Sequence, residues 1–252
     1  MSTTTTAQVA GVDVSGEHYI GGERVGSPER FTTTSPIDEQ PLAEVARGDA
    51  DTARRALDAA ADAFPGWAAL GPVGRAEKLH ALADLIDRDV DKLAAVECAD
   101  MAMLLRSLRA RVIARGAMNF RNYADLAVAH EERDWRSKGT WNRVQRMPAG
   151  PAVVITPWNA PFMLSTWKIA PALASGCTVV LKPAEWSPLS CSLLADLAGE
   201  AGLPPGVLNV VQGIGEEVGA ALVSDPRARR ISFTGSTDTA RHIGGSAAAN
   251  VV

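Results

Sequence analysis

The 252-residue sequence is poor in the side chains that bind metals or form disulfides. It contains 3 cysteines and 4 histidines. Cys98, Cys177 and Cys191 form no C-x-x-C pair, and the histidines lie far apart, without the spacing of metal ligands. The sequence therefore predicts neither a disulfide framework nor a metal site.

The chain also lacks an excess of positive charge and a long apolar segment. Its 25 Lys+Arg are outnumbered by 29 Asp+Glu, whereas nucleic acids and anionic membranes attract basic proteins. The most apolar stretch, 160–177, is interrupted by a lysine and two prolines, which argue against a membrane span. A threonine run, 3–6, followed by Asp13 and Glu17, stands where a secretory signal would have basic and then apolar residues. We therefore predict a cytoplasmic protein with no nucleic-acid or membrane partner.

The composition that remains is typical of a globular protein. Apolar residues make up 46% of the chain and charged residues 21%, and the length suits one large or two modest domains. Residues 1–150 are predicted to form a mainly helical scaffold with short strands near 19–23 and 31–35. Residues 151–252 are predicted to form a parallel α/β core.

Helical periodicity dominates the first half. It predicts one helix that starts at Asp49 and stops at Pro65, a second from Pro72 through Leu93, and a third over 101–126. The arginines of the third helix could form an anion site, but such runs are more typical of a solvated helix face. A polar loop over residues 136–140 is expected to separate this half from the next.

Strand-like and helical patterns alternate in the second half. The predicted strands are 152–156, 178–181, 207–211 and 230–233, and the predicted helices are 162–175, 189–201, 217–224 and 237–249. Strands and helices at this spacing form βαβ crossovers, which give a parallel sheet with helices on both faces. The predicted fold class is therefore α/β, a Rossmann-like doubly wound sheet preceded by a mainly helical N-terminal segment.

Ligands of such sheets bind beyond the carboxyl ends of the strands. The segments that follow the four strands are Pro157–Asn159, Lys182–Glu185, Gln212–Gly215 and Thr234–Ser236. A lysine, a carboxylate, glycine turns and hydroxyls at strand ends suit a nucleotide, with phosphates at a helix N-terminus. The usual G-x-G-x-x-G fingerprint is absent, and so are the hydrolase motif G-x-S-x-G and the phosphate-binding loop.

Each of these residues also has a purely structural interpretation. Trp158 could be a core aromatic that covers the sheet, and Lys182 could be a surface residue at a strand end. Gly235 and Ser236 could form a plain turn with a helix cap. Only their joint occurrence at successive strand ends favours a ligand site.

Four sequence runs resemble the aldehyde dehydrogenase superfamily in their order and spacing. They are TPWN at 156–159, TVVLKPAE at 178–185, GVLNVVQG at 206–213 and FTGST at 233–237. Residues 97–100 and 159–162 look most like the dehydrogenases of hydroxymuconic semialdehydes. Weaker similarity extends over nearly the whole chain.

This resemblance implies NAD(P)-dependent oxidation of an aldehyde to a carboxylic acid. In such a reaction a cysteine thiolate attacks the carbonyl, hydride passes to the nicotinamide, and a glutamate activates water. By position, Asn159 would be the catalytic donor to the oxyanion. The residues implied in cofactor binding are Ile155, Thr156, Pro157, Trp158, Lys182, Ala184, Glu185, Gly215, Phe233, Thr234, Gly235 and Ser236. The carboxylate of Glu185 favours NAD over NADP, because it would repel a 2′-phosphate.

The sequence departs from the family pattern in two respects. No Glu-Leu-Gly-Gly segment with a catalytic glutamate and no later cysteine motif occurs in the 252 residues, so we expect the chain to be inactive alone. In addition, Met101-Ala102-Met103 stands where a Gly-Lys pair is frequent in the family.

Three functions therefore remain open. The chain could be a truncated dehydrogenase that acts on a small-molecule aldehyde. It could be a dinucleotide-binding module without chemistry of its own, and the partners considered are further copies in a homo-oligomer or a complementing catalytic chain. It could also be an interaction protein that has lost the cofactor.

Overall fold

The computed structural model of the chain describes residues 6–250. The strands are β1 Thr6–Val9, β2 Val12–Ser15, β3 His18–Ile20, β4 Glu23–Val25, β5 Arg30–Thr34, β6 Pro41–Ala46, β7 Arg133–Ser137, β8 Thr140–Val144, β9 Ala152–Ile155, β10 Val179–Lys182, β11 Leu208–Val210 and β12 Arg230–Phe233. The helices are α1 Ala50–Ala69, α2 Gly71–Arg88, α3 Val90–Met101, α4 Leu105–Ser107, α5 Ala114–Ala129, α6 Pro161–Ala174, α7 Leu189–Glu200, α8 Ala220–Ser224 and α9 Thr237–Ala248. Two π-helical turns, Leu108–Ile113 and Gly215–Gly219, lead into α5 and α8. Most of the threonine run, residues 3–5, lies outside the described residues.

A six-stranded sheet in the order β12-β9-β10-β11-β3-β4 organises the fold. The four strands predicted in the second half pair in parallel, with β9 between β12 and β10. The predicted α/β class is therefore confirmed. The sheet is mixed rather than wholly parallel, because β3 and β4 of the first half extend it in antiparallel fashion beyond β11.

The central strands are buried on both faces, which explains their continuous apolar sequences. On one face, Val154 and Leu181 pack with α2, α5, α6 and α7. On the other face, Val153 and Val180 pack with α1 and α8. Adjacent residues of one strand thus serve two different cores, as the two-residue period of a strand requires.

The first helix extends further than predicted. Pro65 was expected to end it, but α1 continues to Ala69, so that expectation is wrong. The indole of Trp67, in the last turn, is completely buried and donates a hydrogen bond from Nε1 to the carbonyl oxygen of Leu173, at 3.0 Å. Burial of this large side chain stabilises the last turn despite the backbone donor that proline lacks.

The boundaries of the next helices also differ from the prediction. The apolar face expected to run from Pro72 through Leu93 is divided between α2 and α3, and the third helix does not begin at Met101. Instead α3 ends there, because Ala102 adopts a left-handed conformation with φ of 60° and donates its N–H to the carbonyl of Cys98. The chain leaves the helix at that residue.

Two other segments of the first half can be compared with the prediction. Arginines after α3 lie on a solvated face, where Arg109 pairs with Asp91 at 2.8 Å and Arg121 pairs with two carboxylates on α2. The loop expected over 136–140 is instead part of a hairpin, in which β7 and β8 join at Lys138 and Gly139, both with positive φ. Because these strands are exposed and polar, their composition is the same as that of a loop, and composition could not predict the hairpin.

We expect Ala102→Gly to stabilise the chain by about 1 kcal/mol, because glycine adopts the left-handed conformation without the steric penalty of a Cβ atom. Chemical denaturation of both proteins measures the difference. Ala95→Gly, in the interior of the same helix, is the control and should destabilise by about 1 kcal/mol. Equal destabilisation by both changes would contradict the proposed strain at Ala102.

Candidate functional site

A cavity of about 640 Å³ lies at the carboxyl ends of the parallel strands β9, β10 and β12. Its lining includes every residue that the sequence predicted for cofactor binding: Ile155, Thr156, Pro157, Trp158, Lys182, Ala184, Glu185, Gly215, Phe233, Thr234, Gly235 and Ser236. These residues come from four separate segments of the chain. The structure therefore brings the whole predicted set together, while their roles stay predictions.

A buried ion pair forms the charged wall of the cavity. The Nζ atom of Lys182 lies 2.8 Å from Oε2 of Glu185, three residues further along the chain. Lys182 is only 2% exposed, so the alternative of a surface lysine is wrong. A buried ammonium group requires such a partner, and Glu185 is partly exposed toward the cavity.

The opposite side of the cavity is formed by the turn between β12 and α9. A Cβ atom added to Gly235 would lie 2.3 Å from the ring of Phe233, so the ring packs directly over the glycine. Ser236 then caps α9, its Oγ accepting a hydrogen bond from the N–H of Thr239 at 3.1 Å. The remaining N–H groups of this first turn, together with the helix dipole, favour an anion.

The end of β11 contributes less than predicted. Of the segment 212–215, Gly215 alone lines the cavity, because Gln212 is buried beneath the N-terminal strands. Its N–H donates to Nδ1 of His18 and its carbonyl accepts from the N–H of Gly48, at 3.0 and 3.1 Å. Burial also lowers the pKa of His18 to about 4, so this histidine is a neutral structural acceptor at physiological pH.

Trp158, predicted to bind the cofactor, and Asn159, predicted to donate to the oxyanion, differ in position. Trp158 is 58% exposed and lines the cavity, so the alternative of a core aromatic is wrong. Asn159 is exposed at the next position and is not among the lining residues. Its side-chain amide is accessible, and its catalytic role stays a prediction.

Sequence reasoning missed the remaining wall of the cavity. Besides Trp186, the additional lining residues belong to the segment before and within α8 and to one face of α9. They are Glu216, Gly219, Ala220, Val223, Thr239, His242, Ile243 and Ser246. On α9 these residues follow Ser236 at steps of three and four residues, which is the spacing of one helix face. This spacing could have predicted that they line the same cavity.

A larger groove of about 1030 Å³ lies on another side of β12. It is lined mainly by α5, α6 and the outer edge of the sheet, and three of its lining side chains are cationic: Arg115, Lys168 and Arg230. Only Thr234 belongs to both the groove and the smaller cavity. We assign the candidate site to the smaller cavity because the strand ends and the start of α9 converge there.

None of the cysteines lines the smaller cavity. Cys98 is half-buried on α3, and Cys177 is buried before β10. Burial raises the pKa of the Cys191 thiol to about 12, which removes its thiolate character at neutral pH.

Metal binding and membrane insertion can be assessed for residues 6–250. Within this range no cluster of three or more His, Cys, Asp or Glu side chains has the arrangement of a metal site. No helix in the same range is long and apolar enough to cross a membrane.

Helix α3 contains two buried carboxyl groups. Glu97 and Asp100, both on α3, are 0% and 1% exposed. Burial raises the pKa of Glu97 to about 7, against the effect of nearby hydrogen-bond donors. Burial, together with the neighbouring Glu97, raises the pKa of Asp100 to about 8. No positive charge contributes to either shift.

A cavity at the carboxyl ends of parallel strands is the place where open α/β sheets bind their ligands. The model of the aldehyde dehydrogenase family matches residues 24–252. The chain therefore belongs to the aldehyde dehydrogenase family, and the resemblance inferred from its motifs is confirmed.

Individual relatives support this membership. The 5-carboxymethyl-2-hydroxymuconate semialdehyde dehydrogenase of Escherichia coli is 41% identical over 227 residues, which cover 90% of this chain and 48% of the relative. The 2-aminomuconic semialdehyde dehydrogenase of Danio rerio is 41% identical, with coverages of 90% and 47%. The resemblance to dehydrogenases of muconic semialdehydes is thus confirmed. The chain spans about half the length of these curated relatives.

A solved structure shows the same fold. The indole-3-acetaldehyde dehydrogenase AldA of P. syringae, in complex with NAD+ and IAA, superposes with a TM-score of 0.92 at 35% identity. The match covers 95% of this chain and 50% of AldA.

The buried carboxyl groups predict how stability depends on pH. Both groups hold their protons to about pH 7 and about pH 8 when folded, but ionise near their ordinary pKa values of 4.5 and 3.8 when unfolded. Unfolding therefore releases protons, and the free energy of unfolding should fall as the pH rises from about 6.5 to about 8, by about 1 kcal/mol per pH unit for each protonated group. His18 has the opposite effect, because its pKa is about 4 when folded and 6.5 when unfolded, so stability rises with pH between these values. This effect is largely complete below the pH range considered.

Denaturation at a series of pH values measures this dependence. The double variant Glu97→Gln with Asp100→Asn keeps the shape of both side chains and should have a flatter profile. An unchanged slope in that variant would assign the pH dependence to other groups.

Proposed function

We propose that this chain binds NAD in the 640 Å³ cavity and contributes the cofactor-binding part of an aldehyde dehydrogenase. The observation that carries the proposal is the convergence of the buried Lys182–Glu185 pair and the start of α9 on one cavity. Residues 151–252 form the core of this binding unit, and residues 1–150 form its scaffold.

The chemistry of the lining residues fits a dinucleotide. The Glu185 carboxylate can accept hydrogen bonds from ribose hydroxyls, and Lys182 can donate one. Val223 and Ile243 offer an apolar slot for a flat base between α8 and α9. At Gly215 an added Cβ would lie 3.9 Å from Nζ of Lys182, so the glycine places no side chain beside the ammonium group.

The first turn of α9 is the proposed pyrophosphate site. Its free N–H groups follow Gly235, where the backbone has no side chain of its own between it and the cavity. Ser236 holds the turn in shape through its cap to Thr239. Phosphate oxygens would thus meet oriented backbone donors.

The charge of the lining favours NAD over NADP. Glu185 and Glu216 are both lining carboxylates, and Lys182 is already paired with Glu185. An additional 2′-phosphate would meet this excess of negative charge without a free Lys or Arg among the lining residues.

We expect the chain to bind NAD about tenfold more tightly than NADP, and Glu185→Gln to reduce this preference severalfold. Calorimetric titration with both cofactors at one ionic strength measures it. Glu132→Gln, which removes the same charge from an exposed position on another part of the chain, is the control. Tighter binding of NADP by the parent chain would overturn the assignment, and no binding of either cofactor would favour an interaction protein.

The proposed reaction of the whole enzyme is oxidation of an aldehyde to a carboxylic acid. When bound, NAD supplies the hydride acceptor. Asn159 would donate its amide N–H to the oxyanion that develops on the substrate. The sequence similarity to dehydrogenases of muconic semialdehydes supports a semialdehyde as the substrate class.

The nucleophile of that reaction is proposed to lie outside these 252 residues. Cys98, Cys177 and Cys191 are all absent from the lining of the cavity, and the Cys191 thiol is fully buried. The curated relatives are about twice as long as this chain, which leaves room for a catalytic segment in the same polypeptide or in a complementing one.

The 252-residue chain is expected to form no NADH from a panel of aliphatic and aromatic semialdehydes. An oxyanion donor such as Asn159 has no covalent intermediate to stabilise without a thiolate. NADH absorbance measures turnover, and the Cys98→Ser, Cys177→Ser, Cys191→Ser triple variant is the control. Turnover that this triple variant abolishes would show that one of these cysteines is the nucleophile.

A further inference from the structure

Helix α3 contains two acidic residues that the proposed function does not use. Glu97 and Asp100 lie one turn apart and are almost completely buried. Buried carboxyl groups without a cationic partner are unfavourable unless they form hydrogen bonds. The contacts of these two side chains therefore indicate what they do.

Each carboxyl group accepts a hydrogen bond from the start of another helix. Oε2 of Glu97 accepts from the N–H of Phe162 at 3.2 Å, in the first turn of α6. Oδ2 of Asp100 accepts from the N–H of Leu189 at 2.8 Å, at the first residue of α7. Both N–H groups belong to the first turn, where backbone donors have no partner within their own helix.

Neither recipient helix caps its own start. The residues before α6 and α7 are Ala160 and Pro188, and neither forms a side-chain cap. By contrast, α1 and α9 are capped by Asp49 and Ser236 from within their own segments. The capping function for α6 and α7 is therefore supplied by α3.

These two helix starts lie immediately after two of the loops that line the cavity. The loop after β9 contains Pro157 and Trp158, and the loop after β10 contains Ala184 and Glu185. Each loop is thus held at one end by its strand and at the other by α3. Ser187 also donates from Oγ to the carbonyl oxygen of Trp158 at 2.9 Å, which joins the loops to each other.

We propose that Glu97 is a positioning residue for the cofactor site, which fixes the loop after β9 by holding the first turn of α6, while Asp100 does the same for the loop after β10. Because the cavity is the proposed NAD site, this inference rests on the proposed function. Close packing adds to the bond at Phe162, since a Cβ atom on Gly116 would lie 2.5 Å from its ring. The helix start is therefore held from two sides.

The experiment compares substitutions that keep or remove the acceptor at residue 97. Glu97→Leu has no acceptor and should weaken NAD binding about tenfold, measured by calorimetry. Glu97→Gln keeps a carbonyl oxygen at the same reach and should bind within about twofold of the parent. Leucine removes a buried acid but leaves the Phe162 N–H without its acceptor, so its two effects on stability oppose each other, and affinity is measured on the folded chain.

Val96→Ala is the matched control on the same helix. Val96 is completely buried and packs with the N-terminal strands and with Leu189 of α7, but not with α6, whose start is the one that Glu97 holds. This change should lower stability, by the loss of buried methyl groups, and leave the affinity of the folded chain for NAD unchanged. Parent-like affinity of Glu97→Leu, or equal weakening by Val96→Ala, would overturn the positioning role.

Two further measurements keep the test decisive. If Glu97→Leu does not fold, Glu97→Asp replaces it, because its arm is one methylene shorter and should weaken NAD binding severalfold. If the parent does not bind NAD, the proposed function fails, and hydrogen exchange at the Phe162 N–H then tests the contact itself. Faster exchange in Glu97→Leu than in Glu97→Gln supports the hold on α6, and equal exchange contradicts it.

Discussion

Burial of β9 and β10 on both faces is the constraint on which the rest of the molecule depends. Val153 and Val180 face one core while Val154 and Leu181 face the other. Strands of this kind cannot be joined by a tight turn when they are parallel, so helices must cross over and cover both faces. The carboxyl ends of the strands then share one edge, and residues about 25 positions apart in sequence meet there.

The ion pair between Lys182 and Glu185 determines which ligands the cavity can accept. Lys182 extends from the last residue of β10 into a buried position, and Glu185 supplies its counter-charge from the same loop. The pair is electrically neutral but keeps carboxylate oxygens toward the cavity. In the proposed site, recognition of a ribose would therefore rely on hydrogen bonds, and the anionic part of a dinucleotide would depend on backbone donors of α9.

The core of the fold and most of the site could be predicted from the sequence because they depend on local patterns. Successive apolar runs and helical periodicity predicted four strands close to their observed positions, and the resemblance to the aldehyde dehydrogenases implied the residues that line the cavity at their ends. The predictions failed where long-range contacts determine the end of a helix or the pairing of a strand. Pro65 lies within α1 because distant Leu173 anchors Trp67, and β3 joins the sheet by pairing with β11, nearly two hundred residues away. Neither partner can be inferred from a local pattern.

Local rules are broken most clearly on α3, and its position explains why. One helix combines two buried carboxyl groups with a left-handed alanine at its end, each of which lowers stability by general criteria. The two acids nevertheless hold the first turns of α6 and α7. Their unfavourable burial is offset by hydrogen bonds that both recipient helices would otherwise lack. The features that lower the stability of α3 thus belong to the same helix that holds two of the loops lining the cavity. Such a conflict with local folding rules is expected near a functional site.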